Sequence, residues 1–162
     1  MSGVRIEPRP YDHPDAVKLT QQVQQEYVAR YGGEDATPVD PREFDPPAGL
    51  FLVGYVDGSP VASGGWRAQD GNSEGFRDGD AELKRMYVSP DQRGKGYARR
   101  ILAALEDSAR RAGRTRMVLE TGLAQPEALA LYRSCGYTDV PKFGFYRCSP
   151  SSVCLGKDLR VP

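Results

Sequence analysis

Apolar positions change period several times along the chain, and each change marks an element. Val4 to Pro8 reads as a short opening strand ended by proline. Ala16, Leu19, Val23, Tyr27 and Val28 then recur at helical spacing and predict a helix to about Arg30, capped by Asp12 or Asp15. Gly49 to Val56 and Val61 to Ala68 read as strands, and Asp57-Gly58 between them is a hairpin turn. Gly64-Gly65 predicts a bulge or a close backbone approach. Leu83 to Val88 is a further strand, ended by Ser89-Pro90-Asp91. Ala98, Ile101, Leu102, Leu105, Ala109 and Ala112 form one apolar stripe, with Arg110 and Arg111 in the last turn and Gly113 placed as a left-handed stop. Arg116 to Thr121 is another strand. Pro126 opens a second amphipathic helix that stops at Gly136, and strands are expected around 143–147 and 152–157. Segments 31–48 and 69–79 lack periodicity and read as loops, the first with room for a short helical turn.

That order predicts a mixed α/β (α+β) domain over residues 1–162 with one β-α-β crossover, from Leu83 through the long helix to Val118. The crossover should be right-handed and set those two strands side by side in parallel. A chain of 162 residues is long enough to bury a real core. Lys plus Arg and Asp plus Glu each number 22, so no global field favours nucleic acid or a membrane surface. No apolar run approaches the ~20 residues of a spanning helix, and the N-terminus lacks the apolar core of a leader, which points to the cytoplasm. One histidine, and cysteines at 135, 148 and 154 without a C-x-x-C pair, argue against a zinc centre, a disulfide frame or a histidine triad; no metal is expected.

The chemistry concentrates in Arg93-Gly94-Lys95-Gly96-Tyr97-Ala98, between a strand and the start of the long helix. The first helical amides lack intrahelical acceptors and the helix dipole is positive there. Bare glycines let an oxyanion approach the main chain, so the loop is a seat for a phosphate or pyrophosphate. A Walker loop is excluded, since no Gly-Lys is followed by Ser or Thr. The dinucleotide fingerprint fails because Arg99 stands where its third glycine belongs.

Arg93, Gly96 and Ala98 do match R-x-x-G-x-A behind a strand ending in Tyr-Val, and QPEALALYRSCGY follows at the right distance. Together they resemble the Gcn5-related N-acetyltransferase (GNAT) family over about residues 49–147. The resemblance implies the acyl-CoA N-acyltransferase fold: a mostly antiparallel sheet of about seven strands, one splayed parallel pair and about four helices. It also implies acetyl-CoA as co-substrate, its pyrophosphate on the loop amides and its pantetheine arm along Met86, Tyr87 and Val88. An amide near Val88 would then polarise the thioester carbonyl. Many members place an asparagine before the later helix; here Thr121, Gln125 and Pro126 stand there, and Gln125 is the candidate for that contact.

An amine acceptor must lose a proton, a cost of roughly 4–5 kcal/mol at neutral pH for a pKa near 10.4. Strand alternation places Glu82 on one face with Lys84, Met86 and Val88, so Glu82 is the candidate base and Glu120 the reserve. Tyr132 occupies the family's acid position and would protonate the leaving sulfur. Cys135 has no neighbour in sequence to activate it. The acids Glu34, Asp35, Asp40, Glu43 and Asp45 in the loop favour a small cationic amine as acceptor. Two alternatives stand beside it, a protein or peptide acetyltransferase and a non-catalytic acyl-CoA sensor. Self-association as a homodimer is left open by the sequence.

Overall fold

The hairpin at Asp57-Gly58 closes where the sequence calls for it. Asp57 and Gly58 both take positive φ, 50° and 80°, which matches the turn to the twist of its strands. The computed structural model describes residues 3–160. Strands β1 (Arg5–Pro8), β2 (Gly49–Val56), β3 (Ser59–Gln69), β4 (Asp80–Val88), β5 (Arg116–Gly122), β6 (Thr138–Asp139) and β7 (Ser152–Asp158) form one sheet in the order β1-β2-β3-β4-β5-β7-β6. All neighbours are antiparallel except β4 and β5. Helices α1 (Pro14–Tyr31), α2 (Tyr97–Arg111) and α3 (Pro126–Ser134) complete the regular structure, α2 being the crossover from β4 to β5.

The sheet is covered on both faces. Ile101, Leu102, Leu105 and Ala109 of α2 bury themselves against Leu52, Trp66, Leu83, Met117 and Leu119. Ala16, Leu19 and Val23 of α1 pack with Phe51, Val53, Tyr55 and Tyr87 on the other side. Each such aliphatic side chain contributes about 1.5–3 kcal/mol by leaving water.

Several expectations need correction. The cap of α1 is His13, whose Nδ1 accepts the N–H of Asp15 at 3.0 Å, rather than Asp12 or Asp15. Among the described residues there are three α-helices where about four were expected, with short 3-10 turns at Pro41–Phe44 and Pro90–Gln92. The strand expected at 143–147 is a set of turns: Gly144 has φ +83°, and Gly144 donates to Glu74 O at 2.8 Å. Phe143 anchors that turn in a small cluster with Phe76, Val118 and Cys154. The remaining edge strand is β6, which pairs with Gly156 and Leu155 of β7.

Loop 32–48 is held from beneath by cations of the sheet. Arg67 Nη1 donates to Pro38 O and to Glu43 Oε1, both at 2.9 Å. Lys84 Nζ and Arg85 Nη1 both reach Asp35 Oδ2, at 2.9 and 2.6 Å. Phe44, from a 3-10 turn with reciprocal Asp40 and Glu43 caps, is buried against Tyr11.

The predicted irregularity falls at Gly64, but the extra residue lies on β4. Ser63 faces Tyr87 and Gly65 faces Lys84, so Arg85 and Met86 share one position opposite Gly64. Arg85 takes φ 61°, left-handed for a non-glycine residue. Gly64 permits this, since a Cβ there would lie 2.3 Å from Met86 Sδ. The bulge breaks the alternation assumed from sequence. Lys84 and Arg85 both turn to Asp35, whereas Met86 and Val88 pack with the α2-side core.

Candidate active site

Parallel pairing of β4 with β5 lasts three rungs, Asp80 with Arg116, Ala81 with Met117 and Glu82 with Val118. A bidentate pair, Arg116 to buried Asp80 at 2.8 Å for each bond, clamps the closed end. Beyond Glu82 the strands part, because the bulge redirects β4 while β5 continues along β7 to Gly122. The gap opens at the carboxyl ends of two parallel strands, where α/β sheets place ligands.

At its mouth, Gly94 and Gly96 have φ +81° and +82°, and a Cβ on either would meet nothing within 4 Å. Gly96 caps α2 without a side-chain bond. The cradle is therefore bare main chain at an open helix start, and these residues fit an oxyanion such as the pyrophosphate of an acyl-CoA. A cavity of about 530 Å³ runs along it, lined by Met86, Tyr87, Val88, Arg93, Gly94, Gly96, Tyr97, Ala98, Gln125 and Tyr132. Arg93 braces the loop, donating to Val88 O at 2.8 Å and pairing with Glu26. Arg99 ties α2 to the end of α3 through Ser134 Oγ at 2.7 Å and Cys135 Sγ at 3.3 Å. Lys95 does not line the cavity; its ammonium bonds Gln92 Oε1 at 3.0 Å.

A second cavity of about 330 Å³ lies on the β5–β7 side, walled by Tyr27, Tyr31, Tyr146, Asp35, Glu120 and Ser152 among others. A smaller space of about 70 Å³ forms a neck that shares Met86 and Tyr132 with the first cavity, Asp35 and Glu120 with the second, and Gln125 with both. Tyr132 lines the neck and the first cavity; Glu120 lines the neck and the second. Gln125 borders all three spaces and donates to Tyr31 Oη at 3.1 Å.

Glu82, the base candidate from sequence, borders none of these spaces. It is 1 % exposed and accepts from Arg67 Nε at 2.8 Å and Gln69 Nε2 at 3.0 Å. It lies where β4 is still paired to β5, so its carboxylate is spent on holding Arg67 and, through Arg67, loop 32–48. Glu120 is placed differently. Its Oε2 accepts from Tyr146 N at 3.1 Å and Ser152 Oγ at 3.4 Å, while Oε1 is buried without a hydrogen-bond partner among the described residues. Burial pushes its pKa up to about 7, against the pull of Lys84. A half-buried, half-satisfied carboxylate in the wall of a cavity has the proton affinity a base needs near neutrality. The signal available in the sequence was an acid interrupting an apolar strand, Met117 to Thr121, at its carboxyl end. Tyr132 is nearly buried and burial raises its phenol pKa, so it holds its proton. Tyr27, Tyr31 and Tyr146 went unpredicted as lining, since long-range packing alone assembles them.

Comparison with known proteins agrees with this geometry. Residues 19–137 match the model of the acetyltransferase (GNAT) family. The IAA acetyltransferase of Azospirillum brasilense is 35% identical over 143 residues, covering 88% of this chain and 90% of its own. Aminoglycoside N(6')-acetyltransferase type 1 of Stenotrophomonas maltophilia is 26% identical over 104 residues, 64% of this chain and 68% of its own. A Klebsiella pneumoniae structure from the acyl-CoA N-acyltransferases superposes with a TM-score of 0.77 at 27% identity, covering 96% of this chain and 97% of that one. With its splayed parallel strands, bare glycine cradle and matching family model, the chain belongs to the GNAT family of acetyltransferases.

Proposed function

We propose that the protein transfers the acetyl group of acetyl-CoA to a primary amine of a small molecule, by direct attack in a ternary complex. The observation that carries this reading is the neck between the two cavities, with Tyr132 on the donor side and Glu120 on the acceptor side. Both partners can be present at once, so no acyl-enzyme is required. Bound in the first cavity, acetyl-CoA supplies an activated thioester. Gly94 and Gly96 leave main-chain amides open to its pyrophosphate, and the unpaired edge of β4 from Leu83 to Val88 faces its arm.

The Glu120 carboxylate accepts the proton of the acceptor ammonium, leaving the nitrogen lone pair free to attack. A carboxylate with a pKa near 7 takes that proton more readily than one in the usual range near 4.3. Tyr132 gives its phenolic proton to the departing sulfur, and the second proton that the nitrogen sheds on becoming an amide restores the phenol. Acids also set the choice of acceptor: Glu34, Asp35 and Glu120 line the second cavity, whose one lining cation, Lys84, is with Arg85 already paired to Asp35. A cationic amine without a carboxylate suits that field better than a zwitterion. The cavity's volume lies at the small end of ligand pockets, which favours a small molecule over a folded protein tail. The relative named for aminoglycosides supports the same substrate class.

The test is release of free thiol from acetyl-CoA over a panel of small amines, amino acids and lysine peptides. Turnover of small cationic amines above peptides is expected. Calorimetric binding of acetyl-CoA with no turnover over the whole panel would refute catalysis and leave a sensor module.

A further inference from the structure

Tyr146 stands on the turn where the residue pattern predicts a strand, and there it makes two contacts that a strand would not allow. Its main-chain N–H donates to Glu120 Oε2 at 3.1 Å. Its phenol oxygen accepts the N–H of Ala36 at 2.7 Å. Ala36 follows Asp35, whose carboxylate is gripped by Lys84 and Arg85 and whose main chain is bonded on both sides to Gln24. The phenol thus ends on a segment pinned to β4 and α1. Gly144 completes the arrangement. A Cβ there would lie 2.7 Å from Glu120 Oε1 and would displace the carboxylate.

We propose that Tyr146 is a positioning residue for the base: its phenol ties the turn at 143–147 to the pinned loop, which fixes its N–H on Glu120 Oε2 and holds the carboxylate at the cavity wall. The inference rests on Glu120 being the base. The same N–H stabilises the charged carboxylate and so opposes burial. Around Glu120 stand Lys84 and Glu82 of β4, Asp35 of the loop, and Ser152 and Cys154 of β7. Of these, Lys84 draws the pKa down while Glu82 and Asp35 raise it, so a loosened Tyr146 N–H leaves the carboxylate easier to protonate.

The test uses the full chain with Tyr146→Phe, which keeps the ring and removes only the phenol oxygen. kcat/KM for the acceptor is followed from about pH 5.5 to 9, and acetyl-CoA affinity is measured by calorimetry. The acid limb should move up by about half a pH unit or more and kcat should fall roughly 3–10-fold, with acetyl-CoA affinity unchanged. Unchanged affinity also certifies the fold. An acid limb that coincides with the parent's would overturn the role of Tyr146. Glu120→Gln, measured alongside, separates the two ideas. If it keeps the acid limb, the base assignment falls and this inference with it. If it loses the limb while Tyr146→Phe behaves as the parent, only the role of Tyr146 is refuted.

Discussion

Glu120→Gln removes one proton acceptor and one buried charge while keeping nearly the same shape, so activity and stability should move in opposite directions. In the parent the carboxyl titrates near 7. Roughly a tenth is ionised at pH 6 and nine tenths at pH 8, so kcat/KM for the amine should rise about tenfold across that interval. The amide cannot take the ammonium proton. Turnover should drop by about 10²–10⁴-fold, equivalent to roughly 3–5 kcal/mol of barrier, and the limb near pH 7 should vanish. For stability, the native carboxyl has a pKa above its unfolded value of about 4.3, so the folded state binds more protons between the two. Unfolding free energy therefore falls as pH rises from about 4.3 to 7, by at most about 4 kcal/mol and nearer 1–2 after screening of this partly accessible group. Gln carries no such charge, and the variant should melt higher than the parent above pH 7 and near it below pH 5. Thiol release against pH, together with melting at matched pH values, reads both effects. A variant that keeps the limb near pH 7, or whose melting temperature tracks the parent's at every pH, would refute the account of Glu120.

Three other outcomes are expected. Tyr132→Phe should slow turnover by around 10²-fold in the thiol-release assay without weakening acetyl-CoA in calorimetry, and undiminished turnover would take the acid role from it. Gly96→Ala forces a side chain into the left-handed region at about 1–2 kcal/mol and sets a methyl in the cradle. Acetyl-CoA affinity should fall about tenfold, and an unchanged Kd would show that the cradle is not the pyrophosphate seat. Glu82→Gln leaves Arg67 short of a buried counter-charge and should cost about 3–5 kcal/mol of stability by denaturant melts, while the acid limb of the rate stays where it is. A limb lost in that variant would return the base role to Glu82.

Local pattern was enough for elements whose causes are local. The α2 stripe, the Asp57-Gly58 turn and the glycine cradle follow from side-chain periodicity and from positions that need positive φ, and these are properties of a few neighbouring residues. The two family motifs, at 93–98 and 125–137, are likewise runs of neighbouring residues, so the family was legible before any coordinates. The base was not. Alternation put Glu82 beside Met86, but a single extra residue at Arg85, accommodated only because Gly64 on the next strand lacks a side chain, inverts the faces beyond it. Whether a carboxylate at 82 or 120 meets the cleft then depends on where β4 leaves β5 and on which cation sits beside each. Arg67 neutralises Glu82 from 15 residues away in the chain, and the turn at 143–147 shields Glu120 from 26 away. Proton affinity is set by burial and by charges in space, so sequence named the carboxylates and tertiary packing set which of them borders the cleft and which is spent on Arg67.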